Sequence, residues 1–152
     1  MNRIEKIREV IDEILLKMTD KELQKEAYIH LYGVSQASAL LAKKRNENVE
    51  LAVIAGMLHD VYAYVTMDVI EHAHKGAKMA KEILESLQLF TADEIHLIYK
   101  AIYYHSDKEW VHGALDEILK DADVMQHMLY NPLLSVKRQE QERGKALEKE
   151  FL

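Results

Sequence analysis

The chain has 152 residues, 49% of them hydrophobic and 30% charged, with one proline, no cysteine and a formal charge of −6. This is the size and composition of a single globular domain spanning 1–152, one that buries roughly 70% of its unfolded surface. A disulfide scaffold and a thiolate metal site are excluded, so any metal must be held by nitrogen and oxygen. The negative charge, without a lysine and arginine cluster, argues against binding a nucleic-acid duplex through its phosphates.

Charged residues (Arg3, Glu5, Lys6, Arg8) open the first helix, no leader-type apolar core follows, and the run Leu51–Leu58 is too short to cross a bilayer. The expectation is a cytoplasmic protein without a membrane partner. Ile4, Ile7, Ile11, Ile14 and Met18 repeat at helical spacing after Asn2, and Thr19 with Glu22 forms a capping-box pattern that starts a second helix. That helix carries Leu23, Ala27, Val34, Ser38 and Leu41 on one stripe, with His30 in its gap, and ends near Lys44 before the polar loop Arg45–Asn48. The third, Val49 to Tyr64, is apolar on nearly every side, as a central helix should be, and carries His59 and Asp60.

Gly76, Ala77, Ala80, Ile83, Leu84 and Leu87 predict a fourth helix with His72 at its beginning. Thr91 and Glu94 repeat the capping box for a fifth, whose stripe Ile95, Ile98, Ile102 continues to His105. A sixth runs from about Ala114 to Tyr130 with Leu115, Ile118, Leu119, Ala122 and Leu129 inward and Asp123 on the edge of that face. Asn131 and Pro132 then start a highly charged last helix, 132–150. The fold class is an all-α bundle of six to seven helices.

Four helices thus place His30, His59 with Asp60, His105 and Asp123 on or beside buried faces. A buried carboxylate without a partner costs several kcal/mol, and core imidazoles need both nitrogens satisfied. One divalent cation would compensate all of them, and imidazole with carboxylate suits zinc, iron, manganese, cobalt or nickel. His96, His112 and His127 read as surface or loop residues, and His74 can be assigned either way. Tyr62, Tyr64, Tyr103 and Tyr104 read as packing around the cluster.

His30, then 28 residues, then His59-Asp60, then Asp123 resembles the pattern of the HD-domain phosphohydrolase superfamily. ELAVIAGMLHD is similar to that family's signature helix, HAHKGAKMAKEIL to its next helix and LKDADV to its final Asp motif, so the resemblance covers about Ala27 to Tyr130. It implies an HD-like fold with His30, His59, Asp60 and Asp123 as metal ligands, Asp121 being the poorer match. His72, four residues before Gly76, and His105 resemble the extra histidines of dinuclear members, which implies a second ion. The chain departs from better-characterised branches at Ala63, where an acidic residue or lysine is common, and it lacks the Glu-Asp pair of the alarmone-hydrolase branch.

The implied chemistry is hydrolysis of a phosphate ester or anhydride, with a nucleotide as the expected small-molecule partner. A divalent cation activates water near neutral pH and withdraws charge from a phosphoryl oxygen, while Asp60 orients the water as the catalytic carboxylate. Lys75, Lys78 or Arg138 would supply cationic help to the substrate. Two alternatives share the ligand set: an HD-type di-iron oxygenase, and a catalytically degenerate domain that binds a nucleotide and signals. Homo-oligomerisation is compatible with all three.

Overall fold

A computed structural model describes residues 2–151. The elements are α1 (Arg3–Leu16), α2 (Lys21–Lys44), α3 (Val49–Leu58), α4 (Val61–Thr66), α5 (His72–Leu87), α6 (Ala92–Tyr104), α7 (Ala114–Tyr130), a 3-10 turn (Arg138–Glu140) and α8 (Gln141–Phe151). The architecture is all-α, with no strand among the described residues.

Most boundaries follow from local chemistry. Asn2 Oδ1 accepts the Glu5 amide at 2.9 Å and starts α1. The Thr91–Glu94 box forms in both directions and starts α6. Three boundaries differ from the sequence reading. The second helix is capped by Asp20, not by Thr19 with Glu22: Asp20 Oδ1 accepts from the amides of Glu22 and Leu23, both at 3.1 Å. A carboxylate there also faces the positive end of the helix dipole, which a threonine hydroxyl exploits less.

The third helix does not run on to Tyr64. It breaks at Asp60, whose φ of −118° and ψ of 9° leave the helical region, and α4 resumes at Val61 until Met67, at φ 61°, ends it in a left-handed turn. The all-α bundle is as expected, and the described residues count eight α-helices because the short α4 is split from the third. Lastly, Asn131 and Pro132 do not start a helix. Asn131 is extended, its Oδ1 accepts the Leu133 amide and its carbonyl accepts that of Leu134, so the chain turns and α8 follows only after Glu140. Leu129, expected inward, is exposed next to this turn.

α3 forms the centre. Every residue from Leu51 to Leu58 is buried, and the helix touches α1, α2, α6 and α7. The stretch Val49–Thr66 is apolar enough by composition to resemble a membrane span, but it is broken at Asp60 and mostly buried among the other helices. Its packing on α2 depends on Gly56, where a Cβ would stand 2.8 Å from the Ser35 Cα, closer than backbone can give way. The Arg3 guanidinium ties α1 to α3 and α6 through Glu50 and Glu94. Arg143 of α8 donates to the Lys108 carbonyl at 2.8 Å, to the Trp110 carbonyl at 2.9 Å and to Glu117 and Asp121 at 3.0 Å, which folds the C-terminal helix back against the α6–α7 connection.

Candidate metal centre

Residues 59 and 60 of an unbroken helix would point about 100° apart. The break at Asp60 brings both to one place, where α2 supplies His30 and α7 supplies Asp123. His59 is wholly buried, and His30 and Asp123 are nearly so. His30 Nε2 lies 3.1 Å from His59 Nε2, 3.1 Å from Asp60 Oδ2 and 3.3 Å from Asp123 Oδ1. All four donor atoms fall within 4.8 Å of one another.

The outward nitrogens are already occupied. His59 Nδ1 lies 2.7 Å from the Gly56 carbonyl, which can only accept, so this nitrogen carries a proton in either charge state and Nε2 is the atom turned to the cluster, free to bind a cation once its own proton leaves. His30 Nδ1 is set in the same way by Gln126 Oε1 at 2.8 Å. Two imidazole Nε2 atoms and two carboxylates therefore converge, an arrangement that requires positive charge between them. Asp123 Oδ1 sharpens the point, since it is buried without a hydrogen-bond partner. This donor set fits a divalent cation of the imidazole-and-carboxylate class.

Asp60 also faces a second cluster. Its Oδ1 lies 3.1 Å from His105 Nε2 and 3.5 Å from His72 Nε2. Again the far nitrogens are held by carbonyls: His105 Nδ1 by Ile102 at 2.6 Å, His72 Nδ1 by Val69 at 2.9 Å. One carboxylate thus stands between two imidazole pairs, as a bridging ligand would.

Electrostatics among the protein groups follows. Burial works against charge on His30, but the adjoining carboxylates of Asp123 and Asp60 outweigh it and push its pKa up to about 10. His59 is likewise raised to about 9, the charge of Asp60 overcoming burial. Burial opposes ionisation of Asp60 and Asp123 too, but the charge of His59 at the first and of Lys108 at the second holds both well below the usual carboxylate range. His105, wholly enclosed, is lowered by burial and so stays neutral. The carboxylates thus impose positive charge on the site, which protons or a metal can supply.

The cluster opens into a cavity of about 350 Å³ whose wall includes Tyr64, Ser106, Lys108, His127, Lys137 and Glu140. Larger hollows elsewhere, such as one of about 570 Å³ between Met18 and Met67, join no such donors among the described residues. Lys108 donates to Asp123 Oδ2 at 2.8 Å and to the His105 carbonyl at 2.7 Å. The cations named from sequence lie elsewhere. Lys75 pairs with Asp68 at 2.9 Å, Lys78 borders a different hollow beside Phe90, and Arg138 is exposed outside the cavity wall, one residue from Lys137, which lines it.

His127 is not a surface or loop residue. It is half-buried in the last turn of α7, stacked on His30 at 5.4 Å, with Nδ1 3.1 Å from Glu140 and Nε2 3.6 Å from Asp123. The signal was there, because residue 127 is one turn after Asp123 on the same helix face. Glu140 had none, since its approach depends on the turn at Asn131. His112 also belongs inside a network, stacked on Tyr104 at 4.0 Å and 2.6 Å from the buried Lys120 Nζ, whereas His96 is exposed. His74 stacks on Tyr103 away from the cavity. Asp121 is occupied by Arg45 at 2.7 Å and Arg143 at 3.0 Å, which explains why the second aspartate of LKDADV, and not the first, faces the centre.

Comparison with known proteins agrees with this geometry. Among solved structures, a predicted HD superfamily hydrolase from an uncultured Thermotogales bacterium is similar in fold, with a TM-score of 0.65 at 19% identity, covering 95% of this chain and 87% of that one. No curated protein matches the chain. The family model of the HD domain matches residues 27–128, a span that takes in His30, His59, Asp60 and Asp123, and the chain belongs to that family.

Proposed function

We propose that this protein is a metal-dependent phosphohydrolase acting on a phosphate ester or anhydride, with a nucleotide as the preferred substrate class. The observation that carries the reading is the convergence of His30, His59, Asp60 and Asp123, with inward-facing Nε2 atoms and an unpartnered Asp123 oxygen, beside a small polar cavity that His30, Asp60 and Asp123 line. His30, His59, Asp60 and Asp123 would hold one divalent ion, and Asp60 with His72 and His105 a second. Such ions, when bound, supply Lewis acidity toward a phosphoryl oxygen and acidify water.

The chain's own residues do the rest. Asp60 lies between both clusters and is the group placed to accept a hydrogen bond from an attacking water and fix its direction. Lys137, at the cavity wall and without an ion pair among the described residues, is placed to meet a phosphate from the solvent side. Lys108 is committed to Asp123 and holds that carboxylate in one orientation. The cavity lies near the lower end of ligand-site volumes, which suits a phosphate with one attached group, the remainder of a nucleotide lying outside it.

The test is hydrolysis of a phosphomonoester and nucleotide panel by protein stripped with chelator and reloaded with manganese, cobalt, nickel, zinc or iron. Release of phosphate that depends on the added metal, and is lost in Asp60→Asn, is expected. Fully metal-loaded, folded protein inert across the panel would overturn the reading. Because Asp60 stands between two clusters, a di-iron oxygenase is the second reading, and oxygen uptake by the iron-loaded form would favour it.

A further inference from the structure

Beyond the two clusters around Asp60, a third group of donors lies on the other side of Asp123. Asp123, His127 and Glu140 each offer one ligand atom within 4.8 Å of the others. Glu140 is 3% exposed and, among the described residues, its only side-chain partner is His127 Nδ1, 3.1 Å from each carboxylate oxygen. A carboxylate buried so deeply against a single imidazole is costly unless that imidazole does something in return. The far nitrogen of His127 lies 3.6 Å from Asp123 Oδ1, the same buried oxygen that has no hydrogen-bond partner.

The arrangement repeats that of the other four imidazoles. In His30, His59, His72 and His105, Nδ1 is held by an oxygen and Nε2 faces a carboxylate of the centre. His127 does the same, with a carboxylate as its outer partner, and carboxylate–histidine pairs of this kind orient metal ligands and raise their basicity. Asp123 Oδ2 is taken by Lys108, but a carboxylate oxygen accepts in two directions, so Oδ1 can serve both His30's side and His127's.

Resting on the metal-centre reading above, we propose that His127 and Asp123 hold a third divalent cation next to the first, with Glu140 as the positioning residue that presents His127. The site would be built by tertiary structure, because Glu140 reaches it only when the chain turns at Asn131 and Arg143 docks α8. A third ion on the solvent side would face a substrate phosphate from the direction of Lys137, which lines the same cavity.

The experiment is equilibrium dialysis of the full chain against micromolar manganese, followed by elemental analysis of bound metal. Three ions per chain are expected for wild type, two for His127→Ala, two for His72→Ala and one for the double variant, with His96→Ala as an exposed-histidine control that changes nothing. Glu140→Gln should keep the third ion only at manganese concentrations about 10- to 100-fold higher. Two ions or fewer in saturated wild type, or a count unchanged by His127→Ala, would overturn the third site. An unchanged count with lost turnover would make His127 a substrate contact instead. Absence of any bound metal would sink the metal-centre reading itself, and so is distinguishable from failure of the third site alone.

Discussion

His30, the C-cap His59 and Asp123 belong to α2, α3 and α7, helices whose inward faces are apolar for several turns, whereas His72, His127 and Glu140 sit at the ends of elements, on a first turn, a last turn and a 3-10 turn. The inner residues are placed by the core itself: moving them means moving Leu31, Leu58 or Leu119, all essentially without solvent contact. The outer ones are placed by a few polar links, the Val69 carbonyl and the Ser106 hydroxyl for His72 and Glu140 for His127. Rigid packing makes a site that persists in one geometry, while polar links at the rim make positions that exchange more readily with solvent and substrate.

Asp60 is where that comparison can be broken most severely, because one carboxylate serves both the buried and the rim donors. Asp60→Ala should remove all metal from the two clusters, read by elemental analysis, while far-ultraviolet circular dichroism stays helical. His105→Ala should remove only the ion that His72 shares. If Asp60→Ala kept an equivalent that survived the additional removal of His127, Asp60 would belong to a single cluster.

A second effect separates protons from metal. His30 and His59 have folded pKa values of about 10 and about 9, above the usual 6.5, so their contribution to stability is fully present below about pH 6.5 and is lost as pH rises through 9 and 10. Asp60 and Asp123 are held low, so theirs is present above about pH 4 and lost as pH falls through their folded values. Chelated protein should therefore be most stable between about pH 4 and 6.5 and lose on the order of several kcal/mol toward pH 10. Metal affinity should run the other way, rising with pH as protons leave the ligands. Chelated protein whose melting temperature climbs from pH 7 to 9 would contradict these signs.

The smallest effect concerns the inner scaffold. Gly56→Ala should cost about 1–3 kcal/mol in urea unfolding, because the new methyl meets the Ser35 backbone and must push α2 away from α3. The displaced helix carries His30, so metal affinity should fall with stability. An unchanged denaturation midpoint would show that the two helices are not in close contact there.

Periodicity and caps are local properties, and they made α1, α2, α5, α6 and α7 legible from sequence, together with the inward placement of His30, His59, His105 and Asp123. The spacing of His30, His59-Asp60 and Asp123 further identified the family. What one-dimensional reading could not reach depended on groups far apart in the chain. The helix break at Asp60 aims its carboxylate at imidazoles from α2, α5 and α6, so the apolar pattern through Tyr64 held no sign of it. The helical spacing puts His127 one turn after Asp123, but its partner Glu140 lies beyond a turn whose direction is set by Asn131 and by Arg143 gripping the carbonyls of residues 108 and 110, so the pairing has no sign in the sequence. The helices themselves follow from hydrogen bonds and apolar stripes within a few residues, which sequence alone determines. Which imidazoles meet which carboxylates follows from how those helices pack, and only the tertiary structure decides that.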